Sequence, residues 1–168
     1  MPVAAPISDF EKIYVEHALR TIRLVQIFED ADLGIRPGDG SWSTAEQIEH
    51  ICQNHNFVRG LLTEPHPTVE LFQRRFLIRT VKEAVESLVK AVNEARAAFS
   101  AMTSERWDEE VEPFGPEWRK SRKVMLMSMI NHETHHCGQL HVYARIAGKI
   151  PPVLYEPVDI KILELKNK

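Results

Sequence analysis

Between Thr80 and Met102 the apolar residues Val85, Leu88, Val92, Ala95, Phe99 and Met102 recur at alternating spacings of three and four. An α-helix turns once in 3.6 residues, so this spacing gathers all six side chains into one seam that must be buried against other helices. Thr80 and Glu83 open the segment as a capping box, in which a hydroxyl and a carboxylate three residues on satisfy the free amides of the first turn. Ser8 with Glu11 and Ser43 with Glu46 repeat that signature. After Ser8, the residues Phe10, Ile13, Tyr14, His17, Leu24, Val25 and Phe28 follow at helical spacing until Gly34, Pro37, Gly38 and Gly40 break the pattern. After Ser43, a stripe of His50, Phe57 and Leu61 runs until Pro65 and Pro67. Pro113, Gly115 and Pro116 separate the seam from a last long helix, whose Met125, Met129, His132, His136, Leu140 and Tyr143 share a face until Gly148, Pro151 and Pro152. The stretch from Pro65 to Arg79 reads as a connection with one short helical turn, and Val153 to Lys168 as a docked extension. Four helices and no convincing strand pair predict an all-α chain: an antiparallel four-helix bundle with a short C-terminal extension.

Its 168 residues, 43% hydrophobic and 27% charged, suit one domain over residues 1–168 with a substantial core. A net charge of −3 supplies no field for nucleic acid, and the clusters Arg74, Arg75, Arg79, Lys82 and Arg119, Lys120, Arg122, Lys123 read as solvated helix ends. Cys52 and Cys137 have no spacing suited to a disulfide framework, which points to a reducing compartment. With no basic segment before an apolar run at the N-terminus and no apolar stretch of membrane-spanning length, the expectation is a soluble cytoplasmic protein without membrane contact.

Chemistry concentrates in Asn131-His132-Glu133-Thr134-His135-His136-Cys137-Gly138-Gln139-Leu140. His132 and His136 are four apart, so a helix stacks both imidazoles on one face, where two nitrogens can meet one ion. Spacing alone is weak, because eight histidines in this chain produce such pairs by chance. Both, however, lie on the apolar stripe, where an unpartnered imidazole is costly to bury. Core hydrogen bonds could satisfy them. Alternatively, His50 on the inward stripe of the second helix would complete three nitrogen ligands and leave a coordination position open. The same residues match the protease pattern H-E-x-x-H, with Glu156 as a tempting third ligand, but Pro151 and Pro152 intervene and no edge strand is available to hold a peptide. His135 lies about 100° round the helix from His136 and stays outside the metal set. His17 shares the inward stripe of the first helix and could support the site, whereas His55, His66 and His141 are assigned no role.

Taken together, Trp42-Ser43 through Glu46 to His50, then His132-Glu133-x-His135-His136-x-Gly138-Gln139-Leu140, then Tyr143-Ala144-Arg145, Gly148 and Pro151-Pro152 resemble the DinB/YfiT-like superfamily over nearly the whole chain. The resemblance implies a four-helix bundle, often a homodimer, holding a divalent metal with His50, His132 and His136; the apolar tail residues Ile160, Ile162, Leu163 and Leu165, expected to be exposed, lend the dimer weak support. Many relatives carry arginine where this chain has Cys137, so a fixed cation is missing here. Cys137 itself reads as an inert packed thiol.

Three neutral imidazoles leave the charge of a divalent ion uncompensated and favour an anion such as hydroxide or a thiolate. Relatives of known activity resemble thiol-dependent S-transferases and isomerases. The leading expectation is therefore a metal-dependent thiol S-transferase whose partners are a low-molecular-weight thiol and a small electrophile. A metal-dependent hydrolase that activates water and a non-catalytic metal-binding stress protein are the alternatives. Zinc or nickel is the expected ion. No general base is assigned, although Glu133 and His135 are candidates.

Overall fold

The computed structural model describes residues 7–153 and 156–164. Its four long helices are α1 (Ile7–Val25), α2 (Thr44–Thr63), α3 (Val81–Phe99) and α5 (Arg122–Ile146), with a one-turn helix α4 (Ser104–Asp108) between the last two. Around the bundle the neighbours are α1 with α3, α3 with α2, α2 with α5 and α5 with α1, so the consecutive helices α1 and α2 lie across a diagonal. Cross-contacts give the directions. Gln47 meets His136, Asn54 meets Met129 and Leu61 meets Arg122, so α2 and α5 are antiparallel. Glu11 meets Arg96 and Asp30 meets Val81, which makes α1 and α3 antiparallel too. Thr134 pairs with His17 and Lys149 with Glu29, so α5 runs parallel to α1. The connection 64–80 climbs back along the bundle, and α3 therefore starts at the same end as α2 and runs parallel to it.

The caps hold unevenly. Ser43 forms the full box with Glu46, its hydroxyl taking the Glu46 amide while the Glu46 carboxylate takes the Ser43 amide. Thr80 caps Glu83, but the Glu83 carboxylate takes the amide and guanidinium of Arg79 instead of completing the box. The box expected from Ser8 is not formed there, because α1 already includes Ile7 and Ser8 lies inside the helix. Ile13, expected on the inward stripe, is exposed.

Two short features escaped the sequence reading: α4, whose Trp107 packs edge-on to Phe10, and a two-residue antiparallel ladder of β1 (Glu110–Val111) and β2 (Lys120–Ser121). Arg122 departs most from expectation. It is fully buried, not a solvated helix end, and its guanidinium donates to the Leu61 and Pro65 carbonyls and to Glu109. A buried guanidinium is tolerable only with such complete pairing. In the extension, the turn Ile160–Glu164 docks on α1 and α3, Leu163 enters the core, and Asn93 holds its carbonyl at 3.0 Å. Leu165, expected to be exposed and apolar, lies outside the described residues.

No helix among the described residues is long and apolar enough to cross a membrane.

Candidate metal centre

His50 of α2 meets His132 and His136 of α5 at the antiparallel α2/α5 contact, and one nitrogen from each ring lies within 4.8 Å of the others. The Nε2 atoms of His50 and His132 are 3.2 Å apart, and those of His136 and His132 are 3.1 Å apart. Among the described residues this cluster contains no carboxylate and no thiol.

The other ring nitrogens show which tautomer is present. The Nδ1 atoms of His50, His132 and His136 face the side-chain oxygens of Gln53 at 3.3 Å, Asn54 at 3.2 Å and Gln47 at 2.8 Å. Each amide is oriented by a second contact through its nitrogen, to the carbonyls of Arg74 and Met129 and to the hydroxyl of Tyr143 respectively. Carbonyl oxygens accept, so all three Nδ1 atoms carry the proton, and the three Nε2 atoms converge as lone pairs. Lone pairs 3.1–3.2 Å apart with no hydrogen between them repel, and a shared cation resolves the conflict. The residues therefore fit a divalent ion with nitrogen ligands oriented from behind. Burial first, then the neighbouring imidazoles, press the pKa of His132 and His136 down to about 4, and burial lowers that of His50. The rings stay neutral and available at neutral pH.

Aromatic rings enclose the cluster. Trp42 stacks over His136 at 6.1 Å and meets His50 edge-on at 4.8 Å, while Phe72 stacks on His50 at 5.9 Å. Phe72 sits on the turn Val69–Gln73, which presses so closely on α2 that a side chain at Gly60 would collide with Leu71. Beside the cluster opens a cavity of about 500 Å³ lined by Trp42, Gln47, His136, Gln139, Val142 and Tyr143, with no charged side chain.

The remaining candidates lie elsewhere. Glu133 is turned away from the triad into the bundle, where Oε1 accepts from Thr21 at 2.9 Å and faces His55 Nε2 at 3.5 Å. With its Nε2 proton directed at that carboxylate, His55 accepts on Nδ1 from the Tyr14 hydroxyl at 2.8 Å. Burial opposes ionisation of Glu133, but the His55 ring and the Thr21 hydroxyl outweigh it and hold the carboxyl below its ordinary range. Burial, reinforced by Glu133, raises the pKa of Tyr14. This places Glu133 out of reach as the base of an H-E-x-x-H protease, and Glu156 pairs with Arg23 on the surface. His135 is exposed beside Gln139, outside the cluster as expected. His17 meets Thr134 and touches no triad ring; the groups that back the triad are Gln47, Gln53 and Asn54. His55 was passed over in sequence because it lies off the His50 stripe, yet it is fully buried. Cys137 is buried as expected, and burial pushes its thiol up to about 11.

Known proteins share this arrangement of chain. The model of the DinB family matches residues 7–164. The uncharacterised protein YjoA of Bacillus subtilis (strain 168) is 23% identical over 145 residues, covering 85% of this chain and 92% of its own. Its crystal structure superposes with a TM-score of 0.73 at 21% identity, over 87% of this chain and 96% of YjoA. A DinB-like protein from Bacillus cereus ATCC 10987 superposes with a TM-score of 0.75 at 19% identity, covering 88% of this chain and 97% of that one. YfiT from Bacillus subtilis, described as a probable metal-dependent hydrolase with an unusual four-helix bundle topology, superposes at 0.65 with 14% identity, over 89% and 93% of the two chains. At these identities the structural likeness speaks for the fold.

Proposed function

The chain belongs to the DinB family, and from that membership together with the converging imidazoles we propose that it is a metal-dependent thiol S-transferase. His50, His132 and His136 hold a divalent ion, zinc or nickel, and the substrates are a low-molecular-weight thiol and a small electrophile. One observation carries the reading: three Nε2 lone pairs converge while every Nδ1 is backed by a neutral amide. Held by neutral ligands alone, a divalent ion keeps its full charge and, when bound, lowers the pKa of a thiol or a water that joins it.

The choice of thiol over water rests on the base. Water attack is helped by a base that takes the second proton, and of the two candidates Glu133 is turned toward Thr21 and His55 while His135 stands exposed beside Gln139. A thiol has one proton to lose, and it goes to solvent once the ion has lowered the thiol pKa; the sulfur then attacks the electrophilic carbon, an S–C bond forms as the carbon–leaving-group bond breaks, and the leaving group departs with its electron pair. Trp42 and Phe72 flank the triad with aromatic rings, and the uncharged cavity beside His136 suits a neutral electrophile. The hydrolase reading keeps support from YfiT, described as a probable metal-dependent hydrolase. A cytoplasmic location agrees with two free, buried cysteines. A homodimer is also proposed. The tail supports it less than expected, since Leu163 is in the core, whereas Val142, Ile146 and Ile150 expose apolar surface near the end of α5.

Elemental mass spectrometry on wild type, His50→Ala and Glu156→Ala tests the centre first. About one metal per chain in wild type and Glu156→Ala, with little in His50→Ala, is expected for a single three-histidine site. The metal-loaded protein is then given glutathione, cysteine or coenzyme A with an alkyl halide, and separately an ester without thiol. Thioether product supports the transferase, ester cleavage alone supports the hydrolase, and neither supports the non-catalytic binder.

A further inference from the structure

α5 presents a second face to α1, and between the two helices lies a cleft of about 710 Å³ bordered by Thr21, Glu133, Gly138 and Arg145, with Pro151 and Pro152 along one wall. Two features of it are left unexplained by the fold. Gly138 lies in the interior of a 25-residue helix, where glycine is disfavoured against alanine. A Cβ there would meet nothing within 4 Å, so no close packing demands the glycine, and its bare backbone leaves room in the cleft. Glu133 is only 1% exposed, and although Oε1 is paired, Oε2 has no hydrogen-bond partner among the described residues. Buried carboxylate oxygens almost always find a donor, so this one is set to receive a donor from outside the chain.

We propose that the α1/α5 cleft is a second ligand site, separate from the three-histidine centre, for a small elongated zwitterion. Glu133 receives its protonated amine, the apolar stem lies over Gly138 and against Pro151 and Pro152, and Arg145 meets an acidic group at the outer end. The charges on the wall fit that order. Arg20 is already tied to Glu16, whereas Arg145 donates to the His141 carbonyl and has no carboxylate partner among the described residues. Glu133 and Arg145 are twelve residues apart, about 18 Å along the helix axis, but the Arg145 guanidinium reaches back one turn to the His141 carbonyl, so an extended chain of about six carbons between amine and acid spans what remains.

Calorimetric titration of the metal-loaded protein with 6-aminohexanoate and with hexanoate tests the site. The amine-bearing probe should bind, and hexanoate, which lacks only the amine, should bind about tenfold more weakly or worse. Glu133→Gln should weaken 6-aminohexanoate to the level of hexanoate. Gly138→Met, which places a side chain into the cleft from a position with room for one, should abolish binding. Chelator-treated wild type should bind as the metal-loaded protein does, because the metal centre takes no part. Gly138→Met decides the matter alone if Glu133→Gln fails to fold. The proposal is overturned if 6-aminohexanoate does not bind wild type at millimolar concentration, if hexanoate binds equally well, if Gly138→Met leaves binding unchanged, or if binding is lost on removal of the metal. A change in sedimentation mass on Gly138→Met would also overturn it, by making the cleft a contact between copies of the chain.

Discussion

His132 and Glu133 are consecutive in α5, yet they bury polar atoms in opposite ways. His132 faces α2 and belongs to a set whose inner needs are met by neutral amides and whose remaining lone pairs all point at one another. Glu133 faces α1 and the bundle axis, where Thr21, His55 and Tyr14 link three helices, including the diagonal pair α1 and α2. Burial does not tell these regions apart. His55 is fully buried and His132 only half so, yet it is His132 whose lone pair joins the converging set. Hydrogen-bond accounting separates them: Glu133 Oε1 is tied into a network that links helices and leaves only Oε2 open, whereas the triad leaves three lone pairs converging on one point.

The sharpest way to break the comparison is to remove one residue from each side and measure the chelator-treated protein by urea unfolding. Glu133→Leu should cost about 2–5 kcal/mol, because the Thr21 hydroxyl loses its acceptor and the buried His55 ring loses the carboxylate it faces. His132→Leu should cost no more than about 1–3 kcal/mol, the penalty for stranding the Asn54 oxygen, since it also removes a lone pair from a repelling cluster. Metal content should respond in reverse, lost in His132→Leu and kept in whatever fraction of Glu133→Leu folds. Equal stability losses would mean that the triad is part of the structural core and would break the comparison.

A subtler change leaves all three ligands in place. Gln47→Leu removes the acceptor from His136 Nδ1 and frees that ring to adopt the wrong tautomer. Metal affinity, read by competition with a chromophoric chelator, should fall roughly 10–100-fold while the unfolding midpoint of the metal-free protein moves little. An unchanged affinity would show that the amides merely fill space.

Acid should divide the two regions in order. Burial and the neighbouring rings hold His132 and His136 at about 4, below the ordinary 6.5 of histidine, so the unfolded chain takes up their protons first. The metal-free protein should therefore lose stability as pH falls from 6.5 towards 4, and this loss should level off below that. Glu133, held below its ordinary 4.5, stabilises the fold above that value and stops doing so only as the pH passes through its lowered one. Thermal melts of a His132→Leu, His136→Leu double variant should lose most of the first decline, keeping only the part His50 contributes, and keep the second. Persistence of the first would assign it to other groups.

Much of this was legible in sequence, and the gaps have physical causes. Helix positions followed from periodicity, and the meeting of His50 with His132 and His136 from a resemblance whose motif blocks straddle α2 and α5. The backing amides were missed although Gln47, Gln53 and Asn54 stand at −3, +3 and +4 from His50, on its own face of α2, where the helical repeat could have marked them. Arg122 was misread because a cluster of four cations looks solvated when the carbonyls that bury one of them, at Leu61 and Pro65, are about sixty residues away. The bundle directions were hidden for a similar reason. The climb of residues 64–80 back along α2 is a matter of tertiary packing, and proline-rich composition marks only that a connection exists.

The smallest effect concerns two glycines on the two sides of the bundle. Gly138→Ala places a methyl group where nothing lies within 4 Å and replaces the residue least suited to a helix interior after proline. It should stabilise the protein by about 0.5–1 kcal/mol, a rise of a few degrees in Tm for a chain of this length. Gly60→Ala has the same propensity gain but drives the new methyl into Leu71 on the turn that carries Phe72. Relief of that collision requires the turn to lift from α2, taking Phe72 away from His50, so stability should fall and metal affinity with it. Opposite signs for one substitution would show that the glycine beside the centre is a packing requirement and the glycine in the α1/α5 cleft is not. If Gly138→Ala destabilises as Gly60→Ala does, the cleft is tighter than its walls indicate, and the room attributed to a ligand is taken up by the protein itself.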